Sequence, residues 1–327
     1  MPRTIRTIAV AGLTLGVLGL AACSSTGASQ TDDDGSTTVT LQSSWINDAE
    51  FMGYFVGLEN GYYDEVGIDL EYLPGGPSVI PESTLLAGDA DIALTSPDTT
   101  ISAISQQGAD LVIVGAQYQQ NPLGVVSLVG SGIDSAVDLV GKTVAVPDVN
   151  RLAFEAMLAV NDIDPADVTV VPYAYDPTPL VRGEVDATLD FVTNVPYSIG
   201  EQGAEAQSFT LYDAGYRIPN DTVVVSRSYL ESNRDIVKAF LEASSRGWEE
   251  NFRDTAAYPT RFADSWFEGT GRTIANEEFF NEAQQPLIES GDGFYRMSDQ
   301  SIQDTIDALA LIDIEATPDM FDMSLFD

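Results

Sequence analysis

The sequence predicts an α/β protein of two lobes with a helical C-terminal tail. Short apolar runs alternate with helix-like segments in two separate series along the chain. Such alternation is typical of a mostly parallel sheet with helices on its faces. One further extended run follows each series, at residues 124–129 and 222–226. We interpret these two runs as strands that cross between the lobes, the second returning the chain to the first lobe.

The first series predicts four buried strands with three helices between them. Its short apolar runs are bounded by turn residues, as expected for strands covered on both faces. The predicted strands are residues 39–41, 68–72, 92–95 and 111–114. The predicted helices are residues 50–60, 79–86 and 99–107.

The second series repeats this organisation before the chain becomes helical. Its predicted strands are residues 143–146, 168–171, 187–191 and 209–212. Its predicted helices are residues 152–160, 179–182 and 195–202. Beyond Asn233 the apolar residues fall near one helical face, and no strand is predicted in the tail. We therefore expect residues 38–126 and 222–327 to form one lobe and residues 127–221 the other.

The N-terminal segment has the features of an export signal that ends at Cys23, the single cysteine of the chain. Two arginines, Arg3 and Arg6, precede an apolar run at residues 7–20, a pattern typical of a secretory signal. The ending Leu-Ala-Ala-Cys resembles the lipobox of bacterial lipoproteins, which implies removal of residues 1–22 and acylation of Cys23. Acyl chains there would anchor the protein to the membrane. Residues 23–37 are polar and predict a flexible linker.

The composition excludes several classes of function. The chain has 14 basic and 51 acidic residues, a net charge of −37, so it would repel nucleic acid and anionic lipid. We interpret this charge as a surface adapted to salty surroundings. Histidine is absent, which excludes Ser-His-Asp and Cys-His catalysis and zinc sites of the His/Cys kind. We expect no metal, no cofactor and no disulfide, and we expect a monomer.

Candidate binding residues follow the predicted strands, because ligands of open α/β sheets bind beyond the carboxyl ends of the strands. In the first lobe, aromatic rings could stack on a flat ligand, and amide, hydroxyl and carboxyl groups could orient it. The first-lobe candidates are Trp45, Asn47, Asp48, Phe51, Tyr54, Ser96, Asp98, Gln117 and Tyr118. The candidates of the facing wall are Asn150, Arg151, Tyr175, Asp190, Asn194 and Tyr197.

Several blocks of the chain resemble substrate-binding proteins of the thiamine-precursor and nitrate/sulfonate/taurine superfamily. The blocks follow Trp45 and read GYFVGLENGYYDEVGIDL at 53–70, LAGDADIAL at 86–94, DLVGKTVAV at 138–146 and RGEVDA at 182–187. The resemblance implies a type II periplasmic-binding fold that delivers a solute to an ABC importer, through a permease and its ATPase. It further implies that Trp45 is a stacking plate and that Tyr118, Asp190 and Asn194 line the pocket.

The details of the resemblance favour one branch of that superfamily. The Pro-Gly-Gly-Pro run at 74–77, followed by Glu82, looks most like the riboflavin and pyrimidine-precursor branch. Ser44 and Asn47-Asp48 stand where the thiamine-precursor pattern has other residues, and Phe51 replaces a usual histidine. We therefore expect a planar heterocycle, riboflavin-like or a thiamine-pyrimidine precursor, captured by hinge closure.

Two alternatives remain open from the sequence. A receptor for a sulfonate, taurine or nitrate would share the fold, although few cations are predicted in the cleft. A surface hydrolase could use a carboxylate pair such as Asp48 and Glu50. The same superfamily contains enzymes that make the thiamine pyrimidine with pyridoxal phosphate, iron and a histidine, and a chain without histidine cannot run that reaction.

Overall fold

The computed structural model describes residues 35–326 of the chain. The predicted signal peptide, Cys23 and most of the predicted linker lie outside the described residues. Within residues 35–326, no helix combines the length and the apolar composition needed to cross a membrane.

The first sheet has five strands in the order β2-β1-β3-β10-β4. Strands β1 to β3 are parallel, whereas β10 runs antiparallel to both of its neighbours. Alternate side chains of β4 enter the two apolar layers that cover the sheet. The strands are β1 (Thr37–Gln42), β2 (Ile68–Leu73), β3 (Ile92–Thr95), β4 (Leu111–Tyr118) and β10 (Asn220–Ser226). The helices between them are α1 (Met52–Glu59), α2 (Pro81–Ala87) and α3 (Pro97–Gln107).

The second sheet also has five strands, in the order β7-β6-β8-β5-β9. Strands β6, β7 and β8 are parallel, and β5 is antiparallel to β8 and β9. The strands are β5 (Leu123–Leu128), β6 (Thr143–Val146), β7 (Thr169–Pro172), β8 (Ala187–Phe191) and β9 (Ala206–Thr210). The helices are α4 (Arg151–Val160), α5 (Thr178–Val181) and α6 (Val195–Glu201). The predicted two-lobed α/β fold is confirmed; we call the first sheet with its helices lobe 1 and the second lobe 2.

The chain passes between the lobes just before each of the two runs that were predicted to cross. Strand β5 pairs only with strands of the second sheet, and β10 only with strands of the first. The chain crosses at residues 119–122 and returns at residues 211–219, where the structure describes no strand. Because β5 belongs wholly to the second sheet, we propose that lobe 1 ends near residue 122.

The tail is helical, as predicted, and packs mainly on lobe 1. It contains α7 (Arg227–Asn251), α8 (Ala257–Phe262), α9 (Ile274–Ile288) and α10 (Asp299–Ala310). Helices α1 and α7 approach each other so closely that a Cβ at Gly247 would overlap the carbonyl oxygen of Gly53. Helix α10 contributes Ala308 to the core of lobe 2 and Leu309 to a core layer of lobe 1. The tail therefore contacts both lobes.

Candidate ligand-binding cleft

A cleft of about 580 Å³ lies between the two lobes. Most of its wall comes from the loops and helix starts that follow β1, β2, β3, β6, β7 and β8, together with the start of β10. This is the edge at which ligands bind in open α/β sheets. Eight of the predicted site residues line it: Trp45, Asp48, Ser96, Asp98, Asn150, Tyr175, Asp190 and Asn194.

Two aromatic rings from opposite lobes meet in the cleft. The ring centroids of Trp45 and Tyr175 are 4.6 Å apart, and the ring planes are tilted by 54°. Trp45 follows β1 in lobe 1, whereas Tyr175 follows β7 in lobe 2 and adopts a left-handed backbone with φ of 58°. A non-glycine residue in that conformation is uncommon and is more frequent at functional sites.

The loop that carries Trp45 is fixed by the neighbouring Pro-Gly-Gly-Pro turn. The backbone N–H of Gly75 donates to the carbonyl oxygen of Trp45 at 2.8 Å and lies 2.8 Å from the Ser43 hydroxyl, which accepts. A Cβ at position 75 would lie 2.6 Å from the backbone nitrogen of Trp45, so only glycine permits this approach. The turn therefore sets where the indole stands at the cleft.

Three buried carboxyl groups, those of Asp48, Glu50 and Asp221, line the lobe 1 side of the cleft. The hydroxyl of Ser44 donates to Asp221 at 3.0 Å, and the amide of Gln117 donates to Asp221 at 3.3 Å. Burial raises the pKa of Asp221 to about 6, and burial raises that of Asp48 to about 7. Burial, followed by the charge of Asp221, raises the pKa of Glu50 well above its usual range. Burial and the neighbouring carboxylates therefore disfavour the charged form of Glu50.

Arg272 enters the cleft from the tail and lies among these acids. Its side chain is 15% exposed, its guanidinium is 3.5 Å from the Asp48 carboxyl, and it forms an ion pair with Glu277. The second Glu277 oxygen accepts from the backbone N–H of Ala49 at 2.6 Å. The Asp48 and Glu277 charges raise the pKa of Arg272 against the opposing effect of burial, so the cation persists.

Each lobe contributes a further buried acid. Burial raises the pKa of Asp98 in lobe 1 to about 6, and burial raises that of Asp190 in lobe 2 to about 6. The hydroxyl of Tyr173 donates to Asp190 at 2.8 Å. Glu82 also lines the cleft and accepts from the Thr99 hydroxyl at 2.6 Å. Acidic groups therefore surround the cleft on both sides.

Several predicted site residues lie elsewhere. Phe51, Tyr54 and Tyr118 are fully buried in the core of lobe 1, where Tyr54 stacks on Phe240. Strand β4 runs through Tyr118, four residues beyond the predicted strand end, which places Gln117 and Tyr118 inside the sheet. The hydroxyl of Tyr118 donates to Gln284 at 2.6 Å, so its polar end is already satisfied within lobe 1.

The other three predicted residues flank the cleft without lining it. Arg151 is 47% exposed and pairs with Glu155 of its own helix at 4.0 Å. Tyr197 faces Phe279 of α9, with ring centroids 5.6 Å apart. Asn47 lies beside Trp45 in the loop but is not part of the cleft wall.

The sequence analysis missed two prominent residues of the cleft, Asp221 and Arg272. Asp221 is the second residue of β10 and has φ of 45°, and a polar residue next to an apolar run was the only available signal. Arg272 lies in the tail, and no local pattern connects it with Asp48. Within residues 35–326, no group of three His, Cys, Asp or Glu side chains could hold a metal ion.

Comparison with known proteins places the chain in a family. A family model described as NMT1/THI5 like matches residues 48–257, well over half of the chain. The chain belongs to the NMT1/THI5-like family. The matched segment contains most of the cleft, including Asp48, Tyr175 and Asp221 but neither Trp45 nor Arg272.

The relatives with similar sequences include binding proteins and an enzyme. A formylaminopyrimidine-binding protein of Halalkalibacterium halodurans is 28% identical over 75% of this chain and 75% of its own length. The riboflavin-binding protein RibY of Chloroflexus aurantiacus is 26% identical over 69% of this chain and 64% of its own. A 4-amino-5-hydroxymethyl-2-methylpyrimidine phosphate synthase of Legionella pneumophila is 25% identical over 70% and 72%.

A solved structure agrees with the fold. The periplasmic aliphatic sulphonate binding protein SsuA of Escherichia coli superposes with a TM-score of 0.65 and 16% identity, covering 84% of this chain and 91% of that one. The chain is therefore a ligand-binding protein of the NMT1/THI5-like family with the periplasmic-binding fold.

Proposed function

We propose that the protein is a solute-binding lipoprotein of an ABC importer that captures a small planar heterocycle, riboflavin-like or a thiamine-pyrimidine precursor. The observation that carries the proposal is the meeting of Trp45 and Tyr175 from opposite lobes in an acidic cleft. Slight opening about residues 119–122 and 211–219 would admit a flat ligand, and reclosure would bring both rings against it. The names of the binding-protein relatives support this ligand class.

The charge of the cleft argues against a small anion. Six carboxyl residues line it: Asp48, Glu50, Glu82, Asp98, Asp190 and Asp221. Among the described lining residues Arg272 is the single cation, and its charge is already engaged by Asp48 and Glu277. An anionic sulfonate or nitrate would be repelled in this field, whereas a heterocycle with N–H or O–H donors would find acceptors. The ligand is therefore neutral or cationic.

The export and importer parts of the proposal rest on the sequence. A positively charged apolar leader that ends at Cys23 supports export and acylation. The acyl chains would anchor the protein at the outer face of the cell membrane, where it would pass its ligand to a permease. Radiolabelled palmitate incorporated by the natural chain, and lost in Cys23→Ser, tests the anchor.

The enzyme alternative has less support. Two relatives are named as synthases, which favours an enzyme in general. The carboxylate pair that a hydrolase would use, Asp48 and Glu50, lies in the cleft. However, the chain contains no histidine, and its two lysines, Lys142 and Lys238, are not among the lining residues that the structure describes. Turnover of a pyrimidine or glycoside substrate by the purified protein would revive the alternative.

Native mass spectrometry of the purified protein tests the ligand class directly. We expect a carried-over heterocycle, and after its removal we expect calorimetric binding of riboflavin or formylaminopyrimidine at one per chain. Taurine and nitrate serve as matched anionic probes and should give no heat of binding. Binding of an anion without any heterocycle would overturn the ligand class.

A further inference from the structure

Asn194 stands where a helix cap is expected, but its side chain contacts the other lobe. It is the N-cap residue of α6 in lobe 2, and its side chain makes no capping hydrogen bond. Asparagine at this position normally accepts from a backbone N–H in the first turn of its own helix, which stabilises the helix. The side-chain oxygen Oδ1 of Asn194 accepts instead from the Arg272 guanidinium at 2.9 Å and from the Asn276 side-chain amide at 2.8 Å.

Both donors are held by lobe 1. Helix α9, which carries Asn276, places Phe280 and Ile288 in the core of lobe 1. The amide of Gln284 on the same helix donates to the carbonyl oxygen of Ala49 at 2.6 Å, and Glu277 accepts from the N–H of Ala49. Arg272 is fixed by Asp48 and Glu277. The two hydrogen bonds to Asn194 therefore join one lobe to the other.

Other contacts along this junction are weak. Ser198 donates to Asn276 at 3.4 Å, and Tyr197 packs beside Phe279, which is 37% exposed. Opening of the cleft would separate α6 from α9 and break the Asn194 hydrogen bonds. Arg272 and Asn276 would then donate to water, whereas the Asn194 side chain would be free to cap the first turn of α6.

We propose that Asn194 is a positioning residue that latches lobe 2 to Arg272 and Asn276 and thereby sets the fraction of closed molecules before ligand binds. This role is independent of the ligand's identity and goes beyond the proposed function. A binding-competent state that is only partly populated weakens the apparent affinity by that fraction, so the latch also adjusts affinity. Two hydrogen bonds, one from a cation, suffice for a roughly tenfold shift of the closed-to-open ratio.

The test measures the distance between the lobes without any ligand. Spin labels on Gln106→Cys in lobe 1 and Glu184→Cys in lobe 2 would report it in the full chain carrying Cys23→Ser, since Cys23 is the single natural cysteine. Both label positions are exposed. In Asn194→Ala we expect the long-distance population to rise about tenfold relative to the short one. Asn194→Asp, which keeps an acceptor for both donors, should restore the short distance.

The controls separate the latch from a general loss of stability. Asn161→Ala removes two side-chain hydrogen bonds within lobe 2, to Met157 and Ala214, and should leave the distances unchanged. Asn276→Ala should open the cleft, and adding it to Asn194→Ala should add little, because both remove the same contact. Identical distance distributions in wild type, Asn194→Ala and Asn276→Ala would overturn the proposal. Because no ligand is used, that result would leave the proposed function standing.

Discussion

The indole of Trp45 and the phenol ring of Tyr175 lie 4.6 Å apart at their centroids, although they belong to different lobes. The 54° tilt leaves the rings in contact but not parallel. A flat ligand can therefore stack on the indole only if Tyr175 turns or the lobes separate slightly. The pair links recognition of the ligand with closure of the cleft.

Removing the ring of Tyr175 should weaken binding without unfolding the protein. We expect Tyr175→Ala to weaken heterocycle binding by about 1–3 kcal/mol, the range for an aromatic stacking partner, as measured by calorimetry. Tyr175→Phe keeps the ring and should bind within about threefold of wild type. Equal loss in both variants would show that the hydroxyl, not the ring, makes the contact.

Removing the Arg272 charge should destabilise the fold strongly. Arg272→Gln leaves Asp48 and Glu277 buried without their cation, which costs about 3–5 kcal/mol in the free energy of unfolding. Adding Glu277→Gln should recover part of that loss, and urea unfolding measures both. Arg234→Gln, which removes an exposed pair with Asp322, should cost at most about 1 kcal/mol. Similar losses at the two arginines would contradict the buried-charge interpretation.

The crossing of α1 and α7 predicts a steep cost for one methyl group. Gly247→Ala should destabilise the protein by at least about 3 kcal/mol, because its Cβ would meet the backbone of Gly53, which cannot move aside. Gly200→Ala in α6 has open space around its Cβ, so it should be neutral or stabilising by up to about 1 kcal/mol. A higher melting temperature for Gly247→Ala than for Gly200→Ala would contradict the close contact of α1 with α7.

The buried acids predict stability that falls as the pH rises. The pKa of Asp221 is raised from 3.8 to about 6 and that of Asp48 from 3.8 to about 7, mainly by burial. A carboxyl with a raised pKa in the folded state stabilises fully below its unfolded pKa, and this is lost as the pH rises through the folded value. The free energy of unfolding should therefore fall between about pH 4 and pH 7.

Asp221→Asn tests the pH dependence at one group. It should raise the free energy of unfolding at pH 8 by about 1–3 kcal/mol and leave it near wild type at pH 4. Asparagine also tolerates the left-handed backbone at this position. Asp69→Asn, at an exposed position, removes the same net charge and should not flatten the profile. If the free energy of unfolding depended on pH with the same slope in both variants, the raised pKa of Asp221 would be contradicted.

The net charge of −37 predicts that salt stabilises the fold. Self-repulsion among surface carboxylates weakens when 1 M salt shortens the screening length to about 3 Å. We expect the melting temperature to rise from 0.05 to 1 M NaCl, and equally in KCl, because screening depends on ionic strength. A melting temperature that does not change with either salt would contradict an adaptation to salty surroundings.

The two-lobed architecture was predictable because hydrophobic periodicity records burial directly. The apolar runs of β1, β3, β6 and β8 were found within a few residues of their observed bounds. The end of β4 was missed because Gln117 looks like a loop residue. Its amide is buried by contacts with Glu50 and Asp221, which lie far from it in the sequence.

The cleft was predictable where a residue lies at or shortly beyond the end of a strand, as Asp190 and Trp45 do. Arg272 was not predictable, because its partners Asp48 and Asn194 come from two distant segments and only the folded chain joins them. Phe51 and Tyr54 were expected at the cleft from their position after Trp45, but a turn of helix carries both into the core of lobe 1.

Tryptophan fluorescence during titration with riboflavin and with formylaminopyrimidine tests the central claim, that a flat guest stacks on Trp45. We predict saturable quenching at one ligand per chain that is lost in Trp45→Phe. Quenching should be kept in Trp266→Phe, because the Trp266 indole stacks on Phe55 and not on the ligand. Free N-acetyltryptophanamide corrects for light absorbed by the ligand. Quenching that survives Trp45→Phe, or saturation by taurine or nitrate alone, would contradict the claim.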